Sequence, residues 1–212
     1  APNPNCAGDA LGNIYIMEPG FGGGDASMHV TKFDGETFAA LAVTPITMIS
    51  GFPDGGVTFQ AGVIAVAGQS SLGQYVVVAS GLNPDRYAII GTAHPSQSQT
   101  NTFSGTTIPG TLPVIAEWDL ETIANFGVSP TPTVTINDVT VDADGYCWFC
   151  CNLSGTSDIA LVQIVPSTGL LVSAPVIVPG PAHTAAEAPL ICYDVATNSL
   201  LILGPDTGGW MV

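Results

Sequence analysis

Asp142-Ala143-Asp144-Gly145-Tyr146-Cys147-Trp148-Phe149-Cys150-Cys151 is a turn signal followed by six residues of strand-forming side chains. Asp side chains accept nearby backbone N–H bonds and Gly adopts left-handed geometry without steric cost, so Asp142 to Gly145 predicts a tight turn. The aromatic and small apolar residues after it predict a strand. That strand does not alternate apolar with polar. Both of its faces are apolar, and such a strand needs protein above and below it.

The same composition recurs in Asn13-Ile14-Tyr15-Ile16-Met17, Tyr75-Val76-Val77-Val78-Ala79, Tyr87-Ala88-Ile89-Ile90 and Ser199-Leu200-Leu201-Ile202-Leu203, with 25 Gly and 17 Pro punctuating the chain between them. Helices could cover such strands, but the best helical stretch is Val114 to Phe126, between Pro113 and Gly127, with Ile115, Trp118, Ile123 and Phe126 roughly on one face. One or two short helices cannot cover a sheet on both sides. The expected fold is therefore all-β, a propeller-like stack of four or five short antiparallel sheets. The alternative is a β-sandwich or jelly roll.

Internal repetition favours the stack. Asp9-Ala10-Leu11-Gly12-Asn13-Ile14-Tyr15-Ile16 matches the Asp142 to Phe149 segment, and Asp194 to Leu201 is a looser third copy. A second element, Val30-Thr31-Lys32-Phe33-Asp34-Gly35-Glu36-Thr37-Phe38-Ala39, matches Ile115 to Ala124, with a weaker version at Val162 to Leu170. The spacing suits units of about 40–50 residues. On these motifs the chain resembles β-propeller repeats of the NHL-like and YVTN-like kind. In them an Asp-x-x-Gly turn opens the second strand of a blade, and an Asp-x-x-Thr-Gly turn joins its outer strands. The resemblance implies a single domain over 1–212 with units near 5–46, 47–130 (one or two units), 131–180 and 181–212. The chain departs from the pattern where Gly follows Thr only at Gly169, and where Thr44 to Gly110 carries strands but no clean motif.

Seventeen acidic residues against Lys32 and Arg86 give a net charge of -15, yet only 9% of residues are charged. Two basic residues cannot displace the counterions of a nucleic acid or engage an anionic membrane surface. No apolar run reaches the roughly 20 residues of a membrane helix. A basic partner or divalent cations would suit the charge.

The cysteines are Cys6, Cys147, Cys150, Cys151 and Cys192. An odd count with three crowded together is a poor disulfide framework. The Cys147-x-x-Cys150 pair lacks the second pair of a zinc ribbon. Its two members would point to opposite faces of a strand, so these cysteines are expected to be small buried hydrophobes. Buried reduced thiols favour assembly in a reducing compartment.

Asp142 and Asp144, with Asp138 nearby, form the densest carboxylate group and the candidate Ca²⁺ site. The run is half a calcium-loop pattern without its downstream Glu, and a turn held by Asp–backbone bonds competes with it. His29, His94 and His183 lack metal-ligand spacing, and Gly68 to Gly73 has the wrong spacing for a nucleophile elbow. Gly20 to Asp25 lacks the Lys and helix of a phosphate loop. Of the tryptophans, Trp148 is expected in the core, and Trp210 is the candidate for exposed glycan contact. Asn152-Leu153-Ser154 is a glycosylation sequon in an expected turn. The uncharged stretch Pro95 to Thr107, with Gln97, Gln99, Asn101 and Phe103, is the candidate partner-facing loop.

These features point to a non-catalytic structural or adhesive domain without a catalytic residue set. It would associate with other protein subunits in an extracellular or virion assembly such as a phage capsid or tail. A metal-dependent propeller lactonase or lyase, with carboxylates and His converging in a central channel, is one alternative. A carbohydrate-binding, lectin-like propeller is the other.

Overall fold

The computed structural model describes residues 6–19, 28–44, 62–69, 73–79, 86–92, 99–100, 107–108, 110–126, 133–179, 189–203 and 210–211. The chain is all-β. The first sheet runs β1 (Cys6–Gly8), β2 (Ile14–Pro19), β3 (Met28–Phe33) and β4 (Ala40–Val43), each antiparallel to the last. β5 (Val63–Ala67), β6 (Tyr75–Ala79) and β7 (Arg86–Gly91) begin the second sheet. β8 (Gln99–Thr100) and β9 (Thr107–Ile108) make a small hairpin of their own, and β10 (Gly110–Thr111) returns to pair parallel with β4. β11 (Val114–Asp119) then completes the second sheet beside β7. The third sheet is β12 (Val134–Val141), β13 (Cys147–Leu153), β14 (Ile159–Ile164) and β15 (Val176–Val178). The fourth is β16 (Leu190–Asp194), β17 (Ser199–Leu203) and β18 (Trp210–Met211).

The five apolar runs quoted above are all strands, but the helical expectation for Val114 to Phe126 fails. Residues 114–119 extend as β11, and only Leu120–Ile123 coils, as α1. Asp119 accepts the N–H of Glu121 and so starts a turn of helix after a strand, while β11 gains a ladder against β7 that is broken only by a register shift between Val114 and Ala116. Of the side chains that looked like one helical face, Trp118 and Ile123 are half-buried and Phe126 is buried, whereas Ile115 is exposed.

Three apolar cores lie between the four sheets, where a two-layer sandwich would have one. Tyr15, Met17 and Val30 of the first sheet meet Ile64, Val76 and Ile90 of the second. Val77, Tyr87 and Ile89, on the other face of the second sheet, meet Phe149, Val162 and Ile164 of the third. Cys150, Ile159 and Leu161, on the third sheet's far face, meet Ile191, Leu200 and Ile202 of the fourth. Successive residues of β6 and of β13 therefore enter different cores, which is why neither strand alternates in polarity. Each aliphatic side chain so buried contributes about 1.5–3 kcal/mol. Tyr87 and Phe149 stack across the middle core with centroids 5.0 Å apart and planes tilted 56°.

The outer face of the fourth sheet carries Leu190 opposite Leu203 and Cys192 opposite Leu201. Leu203 is 50% exposed and Cys192 is exposed. The first strands of the four sheets adjoin in series, β1 against β5, β5 against β12 and β12 against β16. Among the described residues no helix is long and apolar enough to cross a membrane.

Candidate functional site

The Asp142 turn lies at a concavity between the third and fourth sheets. One carboxylate oxygen of Asp142 accepts the N–H groups of Asp144 (3.1 Å) and Tyr146 (2.9 Å). The other accepts the Trp148 indole N–H (2.8 Å) and the Gln163 amide (3.0 Å). Trp148 and Gln163 are direct partners across β13 and β14, so the carboxylate clamps a cross-strand pair as well as its own turn. Gly145 closes the turn at φ 84°. The turn docks on the second sheet, where Gly68 donates to the Gly145 carbonyl (2.8 Å) and Gln69 to that of Ala143 (3.3 Å).

The Asp9 turn repeats this wiring. Asp9 accepts from the N–H of Leu11 and Asn13 at 2.9 Å each, and its second oxygen accepts the Tyr15 hydroxyl at 3.0 Å. Gly12 takes φ 86°. Burial alone would raise the Asp9 carboxyl. The bonds from Asn13, Tyr15 and Leu11 outweigh it and hold the group below the usual range. Asp194 belongs to the other turn type. Its side chain accepts from Ala196 N–H and the Thr197 hydroxyl, as that of Asp34 does from Glu36 and Thr37. The residue after each Thr is left-handed, Phe38 in one turn and Asn198 in the other, each at φ 54°. Asp194 to Leu201 is thus placed like the Asp9 and Asp142 segments, between the first two strands of its sheet, but built like the Asp34 turn.

The three carboxylates of the expected calcium site are not gathered into one group. Asp142 already accepts four N–H bonds, which fill its oxygens with donors. Asp144 is exposed. Asp138 is buried on β12 just past a register shift between Ile136 and Asp138; such bulges re-aim side chains. Its oxygens accept the N–H of Val139 (2.9 Å) and of Ile191 (2.8 Å) in the fourth sheet. Among the described residues no three His, Cys, Asp or Glu side chains could together hold a metal.

A cleft of about 320 Å³ opens between the third and fourth sheets beside the Asp142 turn. Asp142, Asp144, Trp148, Tyr193 and Asn198 supply its polar and aromatic lining, and Leu161, Val176 and Leu200 its apolar walls. The Tyr193 hydroxyl donates to the Asn198 amide oxygen. Trp148 was expected in the core. It is half-buried at the cleft because its indole N–H reaches Asp142 at the sheet's end. Tyr193 and Asn198 were missed, and only the left-handed turn position of Asn198 signalled them.

Gln97, Asn101 and Phe103 of the expected partner loop lie outside the described residues. So do His94, His183 and the Gly20 to Asp25 segment, and the side chains of Gln99, His29 and Trp210. Gln99 and Thr100 form β8, so that stretch is partly a hairpin. Asn152 is not in a turn. It pairs within β13, half-buried with its amide oxygen enclosed. Cys147, Cys150 and Cys151 are buried, with Cys147 and Cys150 in different cores, while Cys6 and Cys192 are exposed. Trp118 donates to the Thr168 carbonyl and lies against Gly169, so its ring seals the second sheet to the third.

These features define the class: an all-β chain of stacked antiparallel sheets whose Asp turns recur. No protein-family model matches the sequence, and no curated protein matches it. Among solved structures it is similar to the major Malassezia sympodialis allergen Mala s 1, at 10% identity and a TM-score of 0.54, covering 95% of this chain and 56% of that one. It is also similar to 1,3Gal43A, an exo-beta-1,3-galactanase from Clostridium thermocellum, at 11% identity and a TM-score of 0.52, covering 98% of this chain and 43% of that one. The likeness is one of fold, and the chain spans about half the length of these structures.

Proposed function

We propose that the four sheets are consecutive blades of a β-propeller and that the chain is a non-catalytic structural or binding part of a larger protein assembly. The observation that carries this reading is the serial stacking. First strands adjoin in order β1, β5, β12, β16, three cores cement neighbouring sheets, and the fourth sheet ends the series with an apolar outer face of Leu190, Cys192, Leu201 and Leu203. That face repeats the chemistry by which each earlier sheet holds the next, so another sheet of the assembly is its natural cover. The structures of similar fold are about twice as long, which supports further sheets in the complete array. The carboxylates at the repeated turns support a scaffold, since Asp9, Asp34, Asp142 and Asp194 spend their oxygens on turn N–H and hydroxyl groups. The low charge and polar turns suit a part of an extracellular or virion particle.

The test is light scattering after size exclusion, comparing the chain with Leu201→Asp/Leu203→Asp. The expected result is association of copies through the fourth sheet, lost in the variant. A monomer in both cases, with no dye-detectable apolar surface, would overturn the reading.

A further inference from the structure

The cleft between the third and fourth sheets has a chemistry that the scaffold reading does not use. Asp142 and Asp144 bring two carboxylates to it, and its lining includes no Lys or Arg. Neither of the chain's two basic residues is among those that line it. Lys32 is buried between the first two sheets, where its ammonium donates to the Thr92 carbonyl (3.0 Å) and lies 5.6 Å from the centre of the Tyr15 ring. Arg86 begins β7, in register with Asp119 of the second sheet. No cationic side chain is among the described residues of the cleft's acidic wall. Field lines concentrate in a concavity of one sign with low-dielectric walls.

Two aromatic rings share that concavity. Trp148 comes from the third sheet and Tyr193 from the fourth. Their orientation is fixed, since the Trp148 N–H is held by Asp142 and the Tyr193 hydroxyl by Asn198. Ring faces attract cations, Trp most of all. Leu161, Val176 and Leu200 would take the methylenes behind such a charge, as apolar walls do for the stems of long basic side chains. A bare divalent ion is a poorer match, because it needs about 6–8 oxygen ligands and Asp142 already gives its oxygens to four N–H groups, whereas an alkylammonium needs only the exposed Asp144 carboxylate and a ring face.

We infer that this cleft binds an organic cation, an ammonium or guanidinium group on an aliphatic stem. The source is either a Lys or Arg side chain of a partner protein or a small free amine. The inference does not depend on the propeller reading, because it rests on one pair of sheets and their shared cleft.

The experiment is a titration of the whole chain at low ionic strength, followed by Trp fluorescence and by amide resonances of residues 142–148 and 193–198. The probes are n-butylammonium, N-acetyl-lysinamide, n-butanol, methyl β-galactoside and calcium chloride. Saturable shifts with the cations, reduced by added salt and absent with n-butanol, are the expected result. Binding of both cations fits a site for amines at large, while binding of N-acetyl-lysinamide alone assigns the site to a partner's side chain. Asp144→Asn should weaken binding about 2- to 5-fold, the scale of one exposed charge pair. Asp144 is exposed, so that variant keeps the fold. Tyr193→Phe keeps the ring and should keep binding. Equal shifts with n-butanol or the galactoside, saturation by calcium, or no saturable shift with either cation would each overturn the proposal.

Discussion

Asp138 of the third sheet accepts the backbone N–H of Ile191 in the fourth, 53 residues away, at 2.8 Å. Its other oxygen takes the N–H of Val139. A single buried carboxylate thus satisfies an edge donor of β16 and its own strand beside the bulge. Asp138→Ala leaves both N–H groups without that acceptor. It is expected to lower stability by about 1–3 kcal/mol, measured as the urea midpoint at pH 7.

The same residue gives a pH signature. Burial pushes the Asp138 carboxyl above the usual range, and the bonds from Ile191 and Val139 only partly oppose this. The folded state therefore keeps this proton to higher pH than the unfolded chain, whose Asp titrates near about 3.9. Ionising Asp138 lowers stability as pH rises from there. Asp9 acts in the opposite sense. Its lowered carboxyl contributes stability present above about 3.9 and lost as pH falls. Asp138→Asn removes only the first component, so its stability relative to wild type should climb as pH is raised from about 4 to 7. Denaturant midpoints across that range check it, and a flat or falling difference would exclude the assignment.

Thiol chemistry should divide the five cysteines. Cys6 and Cys192 are exposed, and Cys147, Cys150 and Cys151 are buried. Burial pushes the thiols of Cys147 and Cys150 far upward, away from the reactive thiolate. Native protein should react rapidly with two equivalents of an aromatic disulfide reagent and take up three more only on unfolding. Fast reaction of a third thiol would show that a core opens readily.

The strands were legible because sheet burial on both faces leaves an unmixed apolar run, as in Tyr75 to Ala79. The turns were legible because the Asp9 and Asp142 segments share a side-chain wiring that needs Asp first and Gly fourth. Val114 to Phe126 misled because Ile115, Trp118, Ile123 and Phe126 fit a helical period, while the ladder against β7 that decides the matter is a tertiary fact. The cleft was barely legible. Trp148 and Tyr193 meet only because the third and fourth sheets stack, and no local pattern encodes that meeting. The Asp138, Asp142 and Asp144 run reads either way in sequence, since a turn and half a metal loop use the same residues; in the structure Asp142 and Asp138 accept N–H groups.

The paired turns permit a controlled comparison. Gly12 and Gly145 have nearly equal φ, 86° and 84°. A Cβ on Gly12 would meet nothing within 4 Å, whereas one on Gly145 would lie 2.8 Å from both Gly68 C and Gln69 N. Gly12→Ala should cost only the left-handed strain, about 1–2 kcal/mol. Gly145→Ala should cost about 1–3 kcal/mol more, because the third sheet's turn must back away from the second sheet. Similar losses in the two variants would mean that the contact between turn and second sheet adds nothing to stability.

Phe38 sits at φ 54° and is 66% exposed, in the turn position that Asn198 fills in the fourth sheet at the same angle and Gly169 fills in the third at φ 73°. A bulky side chain gains little from such exposure and bears the left-handed strain, which Asn tolerates. The backbone would not need to change, since the Phe38 N–H already closes on the Asp34 carbonyl at 2.9 Å, as the Gly169 N–H does on that of Val165 at 2.7 Å. Phe38→Asn should therefore raise stability, by about 0.5–1 kcal/mol. The reverse exchange, Asn198→Phe, should lower it by at least as much, because it also removes the acceptor of the Tyr193 hydroxyl. Thermal unfolding of the two single variants and their combination measures both. A loss in Phe38→Asn would mean that the phenyl ring is engaged by a neighbour in the native assembly.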